Sequence, residues 1–550
     1  MRRNLKIAAA IIGGACMSVG IGLGVFAAPA PVNPAVARVE AAYAAMGMAG
    51  EYRLDGGAQA RDTLVTLITK GTVQTWDPGQ SRTLADRATP DRGTSTFSTY
   101  WDRSKEMYRT EWVRPRAGAA TRTYTEIFSP EDGYVLGEDA NGGFAVKRTI
   151  QFRNAPAHTM SGIRLRSLLR EQDRLNIVLD MHDRPERLSE FPNQTVGGKR
   201  YQAVQYRSDN GTFIVMFDPT TKLPAIVRTR DFDPLMGDAN FDMVMSDWRA
   251  AGTGGFKMSF HQMYTLNGEK IFERKIESQA VNGALATDAF TVPAPLRGKA
   301  ARPAALNKVP FQFVLLRLAS GFFTASDNVY TDDSGNLTLV DAGPNMSLVT
   351  GGTHNTLIVA TNTYLVAFDA PGDDGQSKMA IDLAKAKYPG KPFKYLVLTH
   401  HHIDHTGGLR AYVAEGATVV VGKGAGAFFR QKLSAPTAMN PHTLAGPVAP
   451  RVIEVDNKWS VNDGGRTVEA YLIETVHADG YLIPYVPDAK TGYVTDLWNP
   501  GPTAPAMSNP NLVAVVRGME KAGVMPEKFA GGHGSVGNYA DIVRVVGTAR

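Results

Sequence analysis

Cysteine is all but missing: Cys16 is the only one in 550 residues. A lone cysteine excludes an internal disulfide, a cysteine-built zinc site and an iron–sulfur cluster, so any metal site must be made from His, Asp and Glu. Excess charge is also missing. Arg2, Arg3 and Lys6 account for three of the 59 basic residues, and the 56 left face 53 acidic ones. A chain this near to neutrality has no electrostatic footprint for nucleic acid, and no such partner is expected. Beyond residue 28 there is no uncharged apolar run of membrane-spanning length. Neither a Gly-x-Ser-x-Gly nucleophile turn nor a glycine-rich nucleotide loop stands out. Apolar residues at 43% and charged ones at 20% give an ordinary globular balance, on a chain too long for one core, so two or more domains are expected.

What is present begins with an export segment. Arg2, Arg3 and Lys6 precede an uncharged stretch over 7–28, and Val25-Phe26-Ala27 and Ala28-Pro29-Ala30 offer small-residue cleavage sites. Residues 1–28 therefore read as a signal peptide, which places the mature chain in the periplasm. The same stretch is long enough to span a bilayer if it stays uncleaved, and that is the single membrane contact expected.

Residues 31–295 read as a β-rich domain. Asn210-Gly211 and Asn267-Gly268 sit between alternating apolar runs, as hairpin turns do, and 96–113 and 121–136 read as long strands. The one convincing helix there is 160–175. A curved antiparallel sheet with a helix on one face is expected, with a concave side suited to an apolar ligand. This half resembles the open half-barrel of periplasmic lipoprotein-sorting carriers, on its meander and on Phe217-Asp218-Pro219 leading to Leu223-Pro224. His158, His182 and His261 lie far apart and read as surface or core residues. Residues 296–310, rich in Pro, Ala and basic side chains, read as a linker. In 311–550, short apolar runs alternate with helical stretches, the signature of a layered α/β domain.

Eight of the eleven histidines lie after the linker, four of them in Thr399-His400-His401-His402-Ile403-Asp404-His405-Thr406-Gly407-Gly408. His400 and His402, two apart at an extended strand end, project to one side. Asp404 and His405 follow in a turning loop, and a loop at the end of a buried strand is where an open-sheet protein places its site. His401 reads as a packing residue. Because the cluster follows the linker, the second half is expected to bind metal by itself.

From about residue 328 to 550 the chain resembles the metallo-β-lactamase-fold superfamily of metallohydrolases. The resemblance rests on the histidine motif, on Val349 to Asn355 and Phe368-Asp369-Ala370-Pro371 upstream, and on His477, Asp496 and His533 downstream. It implies a four-layer αβ/βα sandwich, and so an α+β multidomain chain. It also implies two divalent metal ions: one held by His400, His402 and His477, the other by Asp404, His405 and His533, with Asp496 bridging. An all N/O set suits zinc and tolerates iron or manganese. Two positions depart from the family pattern. Thr495 stands where many members have glycine, and Ala478-Asp479-Gly480 follows His477, with Asp479 either supporting an imidazole or starting a turn. His354 either lines the site or packs beneath it.

The chemistry implied is hydrolysis by a water activated between two cations, with Asp404 as the catalytic residue that orients it and moves its proton. The expected substrate is a small molecule with an ester, lactone or amide bond. The alternatives are an iron-dependent oxidoreductase on the same fold, and a lipid- or hydrophobic-ligand-binding protein whose metal domain is secondary.

Overall fold

Polar turns divide the N-terminal half into antiparallel strands. Asn210-Gly211 joins Lys199–Arg207 to Thr212–Phe217. Asn267-Gly268 joins Phe256–Leu266 to Glu269–Val281 with both residues left-handed, φ 49° and 88°, a conformation asparagine and glycine adopt at low cost. The long strands expected at 96–113 and 121–136 are each broken. The Asp102 carboxylate accepts from Ser104 Oγ at 2.7 Å and from Lys105 N at 3.2 Å, which turns the chain between Ser95–Asp102 and Met107–Arg116. A turn through Ser129 separates Ala119–Phe128 from Gly133–Gly137. Alternation continues on both sides of each turn, so periodicity alone conceals the break. The chain is described here from a computed structural model covering residues 33–547 except 49–50, 55–56, 61–63, 88–93, 117–118, 138–156, 253–254, 301, 310, 312–336, 353, 441, 443 and 445–448. The expected signal peptide at 1–28 lies outside the described residues, among which no helix is long and apolar enough to cross a membrane.

Thirteen strands form one sheet, built from two meanders that meet where Thr66–Thr75 pairs with Glu269–Val281. Between its edge strands, Ala157–Thr159 and Leu188–Val196, the chain crosses the sheet as the helix Gly162–Leu175, capped by Ser161. Arg164 reaches Glu126 in Ala119–Phe128, and Arg174 reaches Thr229 in Pro224–Asp233. Those strands are seven steps apart, about 34 Å in a flat sheet, while the two arginines are only about 15 Å apart along the helix. The sheet therefore curls around the helix, as the half-barrel reading expects. Residues of the expected linker lie along this helix: Ala304 N donates to Gly162 O at 2.9 Å, and Val309 is buried beside Leu165 and Leu169.

The second half stacks a seven-stranded and a six-stranded sheet between helices. Strand alternation sorts the side chains into three cores. Ile358, Ala360, Leu396 and Val419 face the helix Asp374–Lys387 through Ala380, Ile381 and Ala384. Leu357, Val359, Val397 and Val420 face the other sheet through Val468, Leu482 and Tyr493. That sheet's far side packs Ile473, Ile483 and Val494 against Leu512, Val516 and Ile542 of the helices Pro510–Ala522 and Tyr539–Gly547. This is the expected four-layer αβ/βα sandwich.

The halves are tied together. Leu235 is buried in the helix-side core of the second half, and Arg410 donates to its carbonyl at 3.1 Å. The Asp238 carboxylate accepts from Ala438 N and Met439 N at 2.9 Å each.

The most exposed consequence of the curled sheet is its buried charge. Arg164 is 1% exposed against Glu126 at 3%, and Glu126 also accepts from Trp112 Nε1 at 2.9 Å. Glu126→Ala leaves that guanidinium buried without its carboxylate and should cost about 3 kcal/mol, read as a lower urea midpoint, with Glu126→Gln losing less.

Candidate metal centre

Five strand ends converge on one edge of the stacked sheets. Leu365–Phe368 runs into Asp369, Phe393–Val397 into the histidine motif, Arg466–Ile473 toward His477, Thr491–Val494 into Asp496, and Lys528–Gly531 into His533. All seven residues singled out in the sequence are brought together here. The ligating atoms of His400, His402, His477 and Asp496 lie within 4.8 Å of one another, and those of His354, His405 and His533 form a second such group. Asp404 belongs to neither tight group but sits beside the second, with Oδ2 3.6 Å from His354 Nε2 and 3.9 Å from His405 Nε2.

Asp496 links the two. Its Oδ2 lies 3.2 Å from His400 Nε2, 3.1 Å from His477 Nε2 and 3.1 Å from His405 Nε2, while its Oδ1 lies 2.6 Å from His533 Nε2. The residue is left-handed, φ 58°, a conformation that costs a non-glycine residue energy and is held by its surroundings. Thr495 supplies much of that hold. Its N–H donates to Tyr481 Oη at 3.0 Å, and Tyr481 donates back to the Thr495 carbonyl at 2.6 Å. The departure from glycine at 495 is matched by a glycine opposite, since a Cβ on Gly532 would meet Thr495 Oγ1 at 2.6 Å.

Asp369 anchors the motif from below. It is fully buried, left-handed at φ 59°, and accepts from Thr399 N at 2.7 Å and Thr399 Oγ1 at 2.9 Å. It also lies 3.5 Å from His405 Nδ1. Thr399 Oγ1 in turn lies 3.0 Å from His400 Nδ1. Both imidazoles are thereby steered so that Nε2 faces the cluster, the arrangement outer partners impose on ligating histidines.

His354 is drawn into the centre, 4% exposed, with ring centroids 4.6 Å from His405 and 4.4 Å from His533. Asn355 fixes it there: its side-chain amide donates to Gly531 O at 2.8 Å and Gly534 O at 3.0 Å on the loop that carries His533. Asp479 lies in the turn before Gly480, with its exposed carboxylate 3.8 Å from Arg82. His158, His182 and His261 stay in the N-terminal half, His182 in the helix Ile177–Asp183 and the others in the sheet, with partners Thr159 O, Glu40 and Glu273.

The N-terminal half also reaches the cluster, although all seven candidate ligands lie in the second half. A loop that follows Thr66–Thr75 lays Gly79 O against Ile403 N at 2.9 Å and Arg82 O against Asp479 N at 2.9 Å. Between them the Ser81 carbonyl accepts from His401 Nε2 at 2.7 Å and His402 Nε2 at 3.0 Å, and the Gln80 amide donates to Asp404 Oδ1. No local pattern marks Gln80 and Ser81; only the docking of the two halves places them.

The residues fit divalent cations. His402 Nδ1 is buried with no hydrogen-bond partner among the described residues, and His400 Nε2 and His477 Nε2 face each other at 3.2 Å around the shared carboxylate. Nitrogen and carboxylate donors in two adjoining groups match the coordination chemistry of zinc, iron or manganese.

Residues 349–541 match the family described as the metallo-beta-lactamase superfamily. A sec-alkylsulfatase from a Pseudomonas species is 20% identical over 40% of this chain and 42% of its own, with a TM-score of 0.28. The chain thus spans about two fifths of the length of the alkylsulfatases it matches. A metallo-beta-lactamase from Pontibacter korlensis is 17% identical over 38% of this chain and 98% of its own, with a TM-score of 0.30. The curated proteins yield no match.

Electrostatics give the centre a measurable signature. Burial pushes the His400 imidazole well below its ordinary pKa and His402 down to about 3. Burial acts on His405 in the same sense, but the Asp496, Asp404 and Asp369 carboxylates outweigh it and hold this imidazole well above the usual range. The carboxylates thus favour a proton on His405 in the metal-free protein, one that a cation must displace. Zinc titrations by calorimetry in buffers of different ionisation enthalpy should report release of about one proton, with apparent affinity rising with pH. Uptake without proton release would mean that His405 is already neutral in the metal-free protein.

Proposed function

We propose, for a chain whose residues 349–541 belong to the metallo-β-lactamase superfamily, that this metal-dependent hydrolase works with two divalent cations on an ester, lactone or amide bond of a small molecule. The observation that carries the binuclear reading is the Asp496 carboxylate, whose two oxygens contact imidazoles of both groups. His400, His402 and His477 would hold one cation and Asp404, His405 and His533 the other, with Asp496 shared and zinc favoured over iron or manganese. When bound, such a pair lowers the pKa of water toward neutrality and polarises an acyl oxygen.

The chain's own groups do the rest. Gln80 donates to Asp404 Oδ1, which turns Oδ2 toward the second group, where Asp404 would help hold a cation, orient the attacking water and move its proton. Asp369 and Thr399 keep His400 and His405 turned inward. Val476, beside His477, is 59% exposed and offers an apolar wall to a substrate. The reading includes export of the mature chain through residues 1–28. A second reading, amphipathic-ligand binding by the N-terminal half, draws on a cavity of about 80 Å³ under the helix Gly162–Leu175, whose wall sets Phe97, Trp112 and Phe272 beside Arg114, Glu171 and Arg274.

Elemental analysis of the purified chain should give about two metal ions per molecule. Asp404→Ala should lower kcat on a chromogenic ester, lactone or amide by about a hundredfold or more while the thermal melt stays close to wild type. One ion or none, or near-normal turnover without Asp404, would overturn the binuclear mechanism.

A further inference from the structure

The loop from the N-terminal sheet is built like part of the centre it covers. It leaves the strand Thr66–Thr75, next to the sheet's central one, and is stiffened at once: Trp76 N donates to Ile271 O at 2.7 Å, and buried Asp77 accepts from Gly79 N at 3.1 Å through Oδ1 and from Gln80 N at 2.9 Å through its carbonyl. Gly79 allows the closest approach, since a Cβ there would meet Ile403 Cγ2 at 2.9 Å. Farther on, Arg87 pairs with Glu269 of the N-terminal sheet at 2.9 Å and lies 5.0 Å over the Phe428 ring of the second half. The loop is thus fixed on both sides before it meets a histidine.

Two of its contacts constrain the chemistry of the centre. A carbonyl oxygen only accepts, so His402 must carry its proton on Nε2 to bond Ser81 O, and its Nδ1 is left as a lone pair. That Nδ1 is the buried nitrogen with no partner among the described residues. An ionised carboxylate also only accepts, so Gln80 must present its NH₂ to Asp404 Oδ1, which fixes the rotation of Asp404 and sends Oδ2 toward His354 and His405.

We propose that Gln80 and the Ser81 carbonyl are positioning groups of the metal centre, so that the N-terminal sheet sets the affinity of both cation positions. This rests on the binuclear hydrolase reading above. Outer partners that orient ligands typically change metal affinity by 10- to 100-fold. Their placement on another domain means that any shift between the halves is felt at Asp404 and His402 together.

The test uses the full chain with zinc alone, competed against a chromogenic chelator, and with cobalt as a spectroscopic probe. Gln80→Ala removes the Asp404 contact and nothing from the backbone. It should weaken the second zinc equivalent about tenfold or more, leave the first within about twofold, and change the cobalt absorption spectrum, all with an unchanged thermal melt. Gly79→Val keeps every polar group but pushes the loop off Ile403, and should weaken both equivalents. Wild-type zinc affinities and cobalt spectra in both variants would overturn the proposal and reduce the loop to packing. A wild-type chain that binds two zinc ions but hydrolyses no substrate would instead count against the hydrolase reading, with the loop still judged by the affinities. A wild-type chain that binds no zinc would overturn both.

Discussion

Everything at the site answers to the burial of one carboxylate. Asp496 keeps only 16% of its side chain exposed, and withdrawing its charge from water is costly unless the charge is compensated. The compensation is four imidazoles between 2.6 and 3.2 Å away. Burial works against Asp496 ionising, yet His405 and its neighbours hold its pKa well below the ordinary carboxylate range. Imidazoles cannot all be protonated at such spacing, and neutral ones repay only part of the cost, so cations are the natural completion. The strained φ of Asp496, the paired hydrogen bonds of Tyr481 and Thr495, and the missing side chain at Gly532 all keep that carboxylate in place.

Of the candidate ligands, four were legible because their chemistry is local, while His477, Asp496 and His533 stood on the family resemblance. His400, His402, Asp404 and His405 follow one apolar strand within six residues, and such a run has few structural uses. The sandwich was legible for a related reason: in strands buried on both faces, Leu357 and Ile358 both read as apolar, and the alternation sends them to different cores. The strand breaks at Asp102 and Ser129 were hidden because side-chain-closed turns leave the apolar pattern intact around them. His354 was named but left between two roles, since its place depends on Asn355 gripping the loop around His533, about 180 residues away. Gln80 and Ser81 had no signal at all. Their effect comes through a carbonyl and a neutral amide, groups that composition and spacing do not single out.

The N-terminal half is more than a support for the second. Its helix Gly162–Leu175 is studded with charge, yet lies inside the curl of the sheet, with Arg164, Arg170 and Arg174 each 4% exposed or less. Buried guanidiniums tied to strands on opposite sides of the curl specify one curvature, because each has to reach a fixed partner. That rigidity also fixes where the strand Thr66–Thr75 ends, and so where the loop after it meets the histidines.

The pairing that closes the sheet sets an order of assembly. Thr72 in the first meander lies opposite Lys275 in the last strand, about two hundred residues later. A contact of that sequence separation forms late, because the intervening chain must be ordered first. During synthesis the strand Thr66–Thr75 waits for Glu269–Val281, and the loop it carries then waits for a histidine motif more than a hundred residues further on. The cluster is therefore completed by segments from both halves, Gln80 and Ser81 from the first and the histidines from the second.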